Sequence, residues 1–250
     1  MNLILFDHQR DTYLLPRSDH RTRHLTRILR VQEGEIVRVG VVDGVQGSAT
    51  VADISESGIT LHAHWHEVRS TALPVRLLVG HPRPPVLQRL LRDLTALRVA
   101  EIHVFVGTLS ESAYLESSVW NKIDHVIRDG LSQGAHTAAP TVRRWRSLSH
   151  ALDALRTPPE FPDGTTHRVY GALATPPTPL VEVLAEIQAS SYPNAVVAIG
   201  PERGFTSQEE QLLSHNGFTG VGLGQSTLRT ETATIILTGA ICSTLSPDLR

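Results

Sequence analysis

The chain has 250 residues, 40% of them hydrophobic, and a formal net charge of −2, a composition that lets one large or two small domains bury their cores without metal or disulfide support. Cys242 is the only cysteine, so no internal disulfide can form, and no apolar run approaches a membrane span; a soluble, untargeted protein of the reducing cytoplasm is expected. The charge is unevenly spread: of 23 basic residues only Lys122 is a lysine, and between Arg10 and Arg30 six arginines stand against Asp11 and Asp19, a candidate phosphate-facing stripe.

Residues 1–71 read as a small β domain with one helical insert. Asn2 to Phe6 is a short strand, and His20 to Arg30 carries Leu25, Ile28 and Leu29 at helical spacing with arginines on the other faces. Strands are predicted over Glu35–Val42, Ser48–Ile54 and Ile59–Trp65, joined by turns at Asp43-Gly44 and Ser57-Gly58, which is the pattern of a small barrel. His62, His64 and His66 alternate along the last strand and so share a face; with no cysteine or carboxylate cluster to complete a shell, no metal site is expected.

Residues 72–250 begin as a βαβ unit: strand Val75–Gly80, helix Pro84–Arg98 and strand Glu101–Val106. Helices are predicted over Leu115–Ser132 and Ser147–Leu155, a loop over Thr157–Thr166, and a strand over Arg168–Leu173 that ends at Ala174–Pro177. Arg143, Arg144 and Arg146 surround Trp145, a cluster that can hold single-stranded RNA by charge and stacking or simply form a polar edge.

From Asn194 onward the pattern is strand, glycine turn, helix, strand, glycine turn, helix. The apolar run Ala195–Ile199 stops at Gly200-Pro201; Thr206 and Glu209 are spaced as a capping box; Phe218–Leu223 stops at Gly224; and Glu231–Leu245 is an almost wholly apolar helix. Ligands of open α/β sheets bind where strands end in such turns, so the two glycine turns point to one pocket.

The motifs Gly200-Pro201-Glu202-Arg203-Gly204-Phe205, Leu223-Gly224 and Leu228-Arg229-Thr230-Glu231-Thr232-Ala233 resemble the signature of the SPOUT-class methyltransferases that methylate uridine N3 in 16S ribosomal RNA. His24-Leu25-Thr26-Arg27-Ile28-Leu29-Arg30 is similar to the N-terminal signature of that family. The resemblance implies a PUA-like β-barrel, residues 1–71, before a SPOUT α/β domain, residues 72–250, with a parallel sheet, a deep trefoil knot and a homodimeric assembly. It implies an S-adenosylmethionine pocket with three walls: Leu173 and Ala174; Ile199, Gly200, Pro201, Glu202, Gly204 and Phe205; and Leu223, Gly224, Thr227, Leu228, Arg229, Thr230 and Ala233. It also implies RNA contact, for which Arg21, Arg23, His24, Arg27 and Arg30 in the first domain and Arg143, Arg144 and Arg146 in the second are the candidates, with ribosomal RNA in the assembled small subunit as partner.

Methylation at N3 requires that a proton leave and that negative charge on the base be stabilised. Arg229 suits the cationic role, with Glu202 or Glu231 to hold the proton or orient Arg229; a plain Arg229–Glu231 ion pair shaping the loop is the structural alternative. The chain departs from the family at Arg203, where a residue with positive φ would strain arginine, at His81-Pro82-Arg83-Pro84, and at Gly134-Ala135-His136. These departures leave open a relative acting on another RNA nucleotide, or an RNA-binding protein without turnover. A phosphate-binding enzyme is disfavoured by the lack of a glycine-rich loop ending in Lys-Ser or Lys-Thr.

Overall fold

The computed structural model describes residues 2–156, 166–173, 177–191 and 193–246. Its contacts separate two compact units, Met1–Thr71 with Ile127–Ala139, and Ala72–Val126 with Pro140–Arg250. The expected loop over Thr157–Thr166 lies outside the described residues except at Thr166, and so does Ala174.

The first unit is a five-stranded mixed sheet, β1 (Ile4–Phe6), β2 (Thr12–Pro16), β3 (Ile36–Val41), β4 (Val45–Ile54) and β5 (Gly58–Arg69), in the order β1-β3-β4-β5-β2. Alternation decides which side is buried: Ala49 and Val51 on β4 and Ile59, Leu61 and Ala63 on β5 face a core with Phe6, Leu15, Leu25 and Val39, while His62, His64 and His66 point outward together. Among the described residues no group of three His, Cys, Asp or Glu side chains is assembled to hold a metal. Residues 127–139 are stitched to this sheet: Ser132 O accepts from the N–H groups of Asn2 and Leu3 (3.0 and 3.1 Å), and Thr137 Oγ1 donates to Gly44 O (2.7 Å).

The helical insert differs from its prediction. It is a single α turn, α1 (His20–Arg23), followed by a π-helical stretch, His24–Leu29, which Arg30 closes in the left-handed region at φ 55°. A π turn holds more residues than an α turn, so the 3.6-residue stripe is broken. Leu25 is buried, but Ile28 and Leu29 turn outward, 68% and 50% exposed.

The start of the insert is fixed by Asp19. Its side chain accepts from the Arg21 N–H (2.8 Å) and pairs with the Arg21 guanidinium (2.6 Å at Nη2), while Arg21 Nη1 donates to Leu5 O (2.7 Å) and the guanidinium lies 5.1 Å from the Phe6 ring centre. Arg21 is therefore committed inside the unit. Arg23, Arg27 and Arg30 are exposed and His24 is half-buried.

The second unit is a seven-stranded all-parallel sheet with helices on both faces. Its strands are β6 (Leu73–Gly80), β7 (Val99–Phe105), β8 (Thr141–Trp145), β9 (Thr166–Gly171), β10 (Thr178–Pro179), β11 (Asn194–Ile199) and β12 (Thr219–Gly222), in the order β10-β12-β9-β11-β6-β7-β8. β11 enters between β6 and β9, and β12 between β9 and β10, so each is inserted beside strands that precede it in the chain.

One face of this sheet packs on α2 (Pro84–Ala96), α5 (Leu180–Ala189) and α7 (Thr230–Leu245) through Leu87, Leu90, Leu91, Ile187, Leu237 and Ile241. The other packs on α4 (Leu148–Arg156) and α6 (Ser207–His215) through Leu152, Leu155 and Leu213. Cys242 is buried on α7, and burial pushes its thiol up to about 12, which makes it a packing residue. The helix expected over Leu115–Ser132 begins instead as two 3₁₀ turns, Ser112–Glu116 and Ser118–Lys122, before α3 (Ile123–Gly134).

The basic and aromatic cluster lies on β8, an edge strand. Trp145 Nε1–H donates to His103 Nδ1 (3.0 Å), leaving His103 Nε2–H for Glu101 (2.8 Å), and this hydrogen bond holds the Glu101 carboxyl below its usual range. Arg144 is drawn to Leu115 O and the Trp120 ring, while Arg143 and Arg146 stay exposed.

Burial raises the Asp19 pKa, but the Arg21 hydrogen bonds outweigh it and leave the group below its ordinary 3.8. A depressed carboxyl contributes stability that is present above its unfolded pKa and is lost as pH falls through the folded one. Asp19→Asn should cost about 1–2 kcal/mol at neutral pH. Urea unfolding of the two proteins should converge as the pH drops below the carboxylate range.

Candidate functional site

Three loops leave the C-terminal ends of β9, β11 and β12 and enclose a cavity of about 320 Å³. The first wall is Gly171, Ala172, Leu173 and Pro177. The second is Ile199, Gly200, Pro201, Glu202, Gly204 and Phe205, with Glu210 from α6 behind it. The third runs from Gly222 to Leu228 and continues onto α7 with Thr230 and Ala233. Leu173, 70% exposed, is the apolar side chain left open on the first wall.

The structure thus brings together at one cavity all the residues expected there except Arg229, which is exposed beside it as the N-cap of α7, and Ala174, which is not described. Pro177 at the strand end of the first wall, and Gln225 and Ser226 within the Leu223–Ala233 stretch of the third, line it as well, as the resemblance implies for those segments. Four further lining positions, Gly171, Ala172, Gly222 and Glu210, lie outside the expected walls, the first three contributing mainly through their place at strand ends. Glu210 carried no sequence signal distinguishing it from a solvated helix residue.

The second wall is the most tightly specified. A Cβ on Gly80, at the end of β6, would lie 2.3 Å from Pro201 N, and one on Gly200 would lie 2.9 Å from the backbone of Gly204 and Phe205. Two main chains cross there with no room for a side chain. The positive φ in this loop falls on Gly204, at 74°, and not on Arg203, so arginine after Glu202 carries no backbone strain. The family departure at Arg203 is sterically harmless.

Glu209 anchors this wall. It completes the capping box of α6: Thr206 N–H donates to Oε2 (2.8 Å), and Thr206 Oγ1 accepts from the Glu209 N–H (3.2 Å). Its other oxygen accepts from the Thr108 N–H (2.9 Å), in the loop after β7. A single carboxylate, 7% exposed, therefore ties the β7 loop to the β11 loop. The third wall is tied to the second by Thr230 Oγ1, which donates to Gly200 O (3.3 Å).

Glu202 is exposed, and its Oε1 accepts from the N–H of Arg83, the N-cap residue of α2 (2.9 Å). Arg83 lies in the His81-Pro82-Arg83-Pro84 segment, where Pro84 and Pro85 open α2 and the buried His81 donates through Nδ1 to Pro82 O (2.7 Å). Burial lowers the His81 pKa and favours its neutral form. Arg229 and Glu231 form no ion pair within 4.0 Å, so the structural alternative for these two is not realised. Glu231 sits half-buried in the first turn of α7, facing the positive end of the helix dipole.

A parallel α/β sheet with a small-molecule cavity at its strand ends, joined to a separate small β unit, defines a two-unit ligand-binding protein. A family model for the RNA methyltransferase domain matches residues 69–242, and a model for the RNA methyltransferase PUA domain matches residues 18–62. The chain is 31% identical over 93% of its length to ribosomal RNA small subunit methyltransferase E of Treponema pallidum, covering 87% of that protein. It is 27% identical to ribosomal RNA small subunit methyltransferase E 1 of Borreliella burgdorferi, with 94% of each chain covered. The crystal structure of a Neisseria gonorrhoeae ribosomal RNA small subunit methyltransferase E bound to S-adenosyl methionine matches with a TM-score of 0.72 at 20% identity, covering 97% of both chains. The chain belongs to this RNA methyltransferase family.

Glu209→Ala strips a buried acceptor from the Thr108 and Thr206 N–H groups and should lower stability by about 3 kcal/mol, with Glu209→Gln costing about 1 kcal/mol. Urea midpoints of the two variants and the parent measure this.

Proposed function

We propose that the protein transfers a methyl group from S-adenosylmethionine to N3 of a uridine in 16S ribosomal RNA, acting in the cytoplasm as a homodimer on the assembled small subunit. The observation that carries this reading is the cavity itself: its second and third walls come from the segments that carry the family motifs, and all three walls leave the ends of parallel strands. Its size and lining suit the donor. The apolar surfaces of Leu173, Ile199, Phe205 and Leu223 can sandwich a flat ring, and the glycines at 200, 204 and 224 let the main chain come close to it. When bound there, the donor supplies a methyl group activated by its sulfonium.

The chain's own residues supply alignment and charge. Leu228 and Thr230 belong to the cavity wall, so Arg229 between them is held at the rim, where its guanidinium can stabilise the negative charge of a uracil whose N3 proton has left. Glu231, in the next turn, is the candidate acceptor of that proton. Glu202 is better suited to orientation, because one of its oxygens already fastens the loop to α2. Holding nucleophile, methyl and sulfur in line would account for much of the remaining rate.

RNA contact is assigned to Arg23, Arg27 and Arg30 in the first unit and to Arg143 and Arg146 in the second, whose side chains are exposed. His24 and Arg144, both partly committed to the protein, are secondary members of this set. The homodimer is supported by α7, where the apolar Ile236 is 43% exposed and Gly239 has open space in front of it. The insertion of β11 and β12 between earlier strands supports a knotted threading of the C-terminal segment, and no helix among the described residues is long and apolar enough to cross a membrane.

Purified protein is incubated with radiolabelled S-adenosylmethionine and small subunits from a strain lacking the enzyme, and the label is mapped. Label at a uridine N3 of 16S RNA is the expected result; label on another nucleotide would redirect the target, and no label on any RNA would overturn the enzymatic reading. Arg229→Ala should reduce turnover by about 10²-fold while changing donor affinity by less than about threefold.

A further inference from the structure

The cavity wall carries charge of one sign. Among the described residues its only charged side chains are Glu202 and Glu210, and no arginine, lysine or histidine lines it. The two carboxylates differ in what they already do, since Glu202 accepts the Arg83 N–H. Glu210 follows directly after the fully engaged Glu209, is half-buried, and its carboxylate makes no hydrogen bond or ion pair among the described residues. Its charge reaches across to β9, where it joins burial, the larger cause, in raising the Tyr170 pKa. An unpartnered carboxylate partly withdrawn from water costs free energy unless a ligand brings a positive group to it.

Resting on the reading of this cavity as the methyl-donor site, we propose that Glu210 distinguishes the donor from its demethylated product by charge. S-adenosylmethionine carries a sulfonium, an ammonium and a carboxylate, and so has a net positive charge. In the transfer, the methyl–sulfur bond breaks with its electron pair remaining on sulfur, a methyl–nitrogen bond forms with the pair from uracil N3, and the N3 proton passes to a carboxylate base, for which Glu231 is the candidate. The product is a neutral thioether whose ammonium and carboxylate cancel. Glu210 thus favours the ligand before transfer over the ligand after it, and helps the spent molecule to leave. The short polar side chains on the third wall, Gln225, Ser226 and Thr227, bear no charge and cannot make this distinction.

Calorimetric titration of S-adenosylmethionine and S-adenosylhomocysteine into the parent, Glu210→Gln and Glu210→Asp tests the proposal. Glu210→Gln should weaken donor binding by about threefold to tenfold and leave product binding within about twofold, while Glu210→Asp keeps most of the preference. Added salt should erode the preference of the parent more than that of Glu210→Gln. An equal loss for both ligands in Glu210→Gln would overturn the proposal by placing Glu210 against a group they share, and no change for either would overturn it by removing Glu210 from the ligand. If the parent binds neither ligand, the donor-site reading itself fails. Unchanged product affinity in Glu210→Gln also reports an intact cavity, so a folding defect is not mistaken for a charge effect.

Discussion

The carboxylate of Glu209 accepts hydrogen bonds from two loops that leave different strands, and the open end of the parallel sheet takes its form from that bond set. Thr206 and Glu209 alone would start a helix; the Thr108 N–H, 101 residues away, makes the same carboxylate a clamp. The glycines at 80 and 200 allow the clamped loop to lie directly on the end of β6. Because the walls of the cavity are mostly main chain and small residues, their positions follow from these few contacts more than from side-chain packing. A hydrogen bond to a charged acceptor is worth about 1.5–3 kcal/mol, enough for one buried carboxylate to decide between an ordered and a loose loop.

Charge is used differently in the two units. In the first, Arg21 and Asp19 satisfy each other and the backbone of Leu5, so this arginine of the basic stripe is structural, while Arg23, Arg27 and Arg30 stay exposed to solvent. In the second, a Trp145–His103–Glu101 chain centred on the buried His103 fixes the edge strand, while Arg143 and Arg146 of the same strand project into solvent. Exposed arginines gain little from surface pairing in water, which leaves their forks free for phosphate oxygens and stacked bases.

Much of this architecture was legible in the sequence where a local rule coincides with the tertiary role. Gly200-Pro201 and Gly224 end strands, the Thr206–Glu209 spacing caps α6, apolar periodicity marks α2, and an almost unbroken apolar run marks α7. Other elements were hidden because the local signal was weak or pointed elsewhere. β2 is five residues with a proline at its edge, β8 is an edge strand rich in arginine, and α5 follows a Pro-Thr-Pro segment with no side-chain cap. Ile28 and Leu29 have α-helical spacing from Leu25, but the π turn rotates them off the buried face. Arg203 carries no backbone strain because the left-handed residue is its neighbour Gly204. Glu210 could not be found from its own position, since its role depends on the cavity built by three distant loops.

The strand order has a consequence for the protein's synthesis. β6, β7 and β8 lie side by side in chain order and can pair as soon as they are made, but β11, the central neighbour of β6, and β12, the last strand, both come late in the chain. A chain emerging from the ribosome therefore leaves one edge of β6 and the strand β9 waiting for partners that have not yet been translated. All three cavity walls border strands completed only by those late insertions, so the cavity takes its full form only once β11, β12 and α7 are in place.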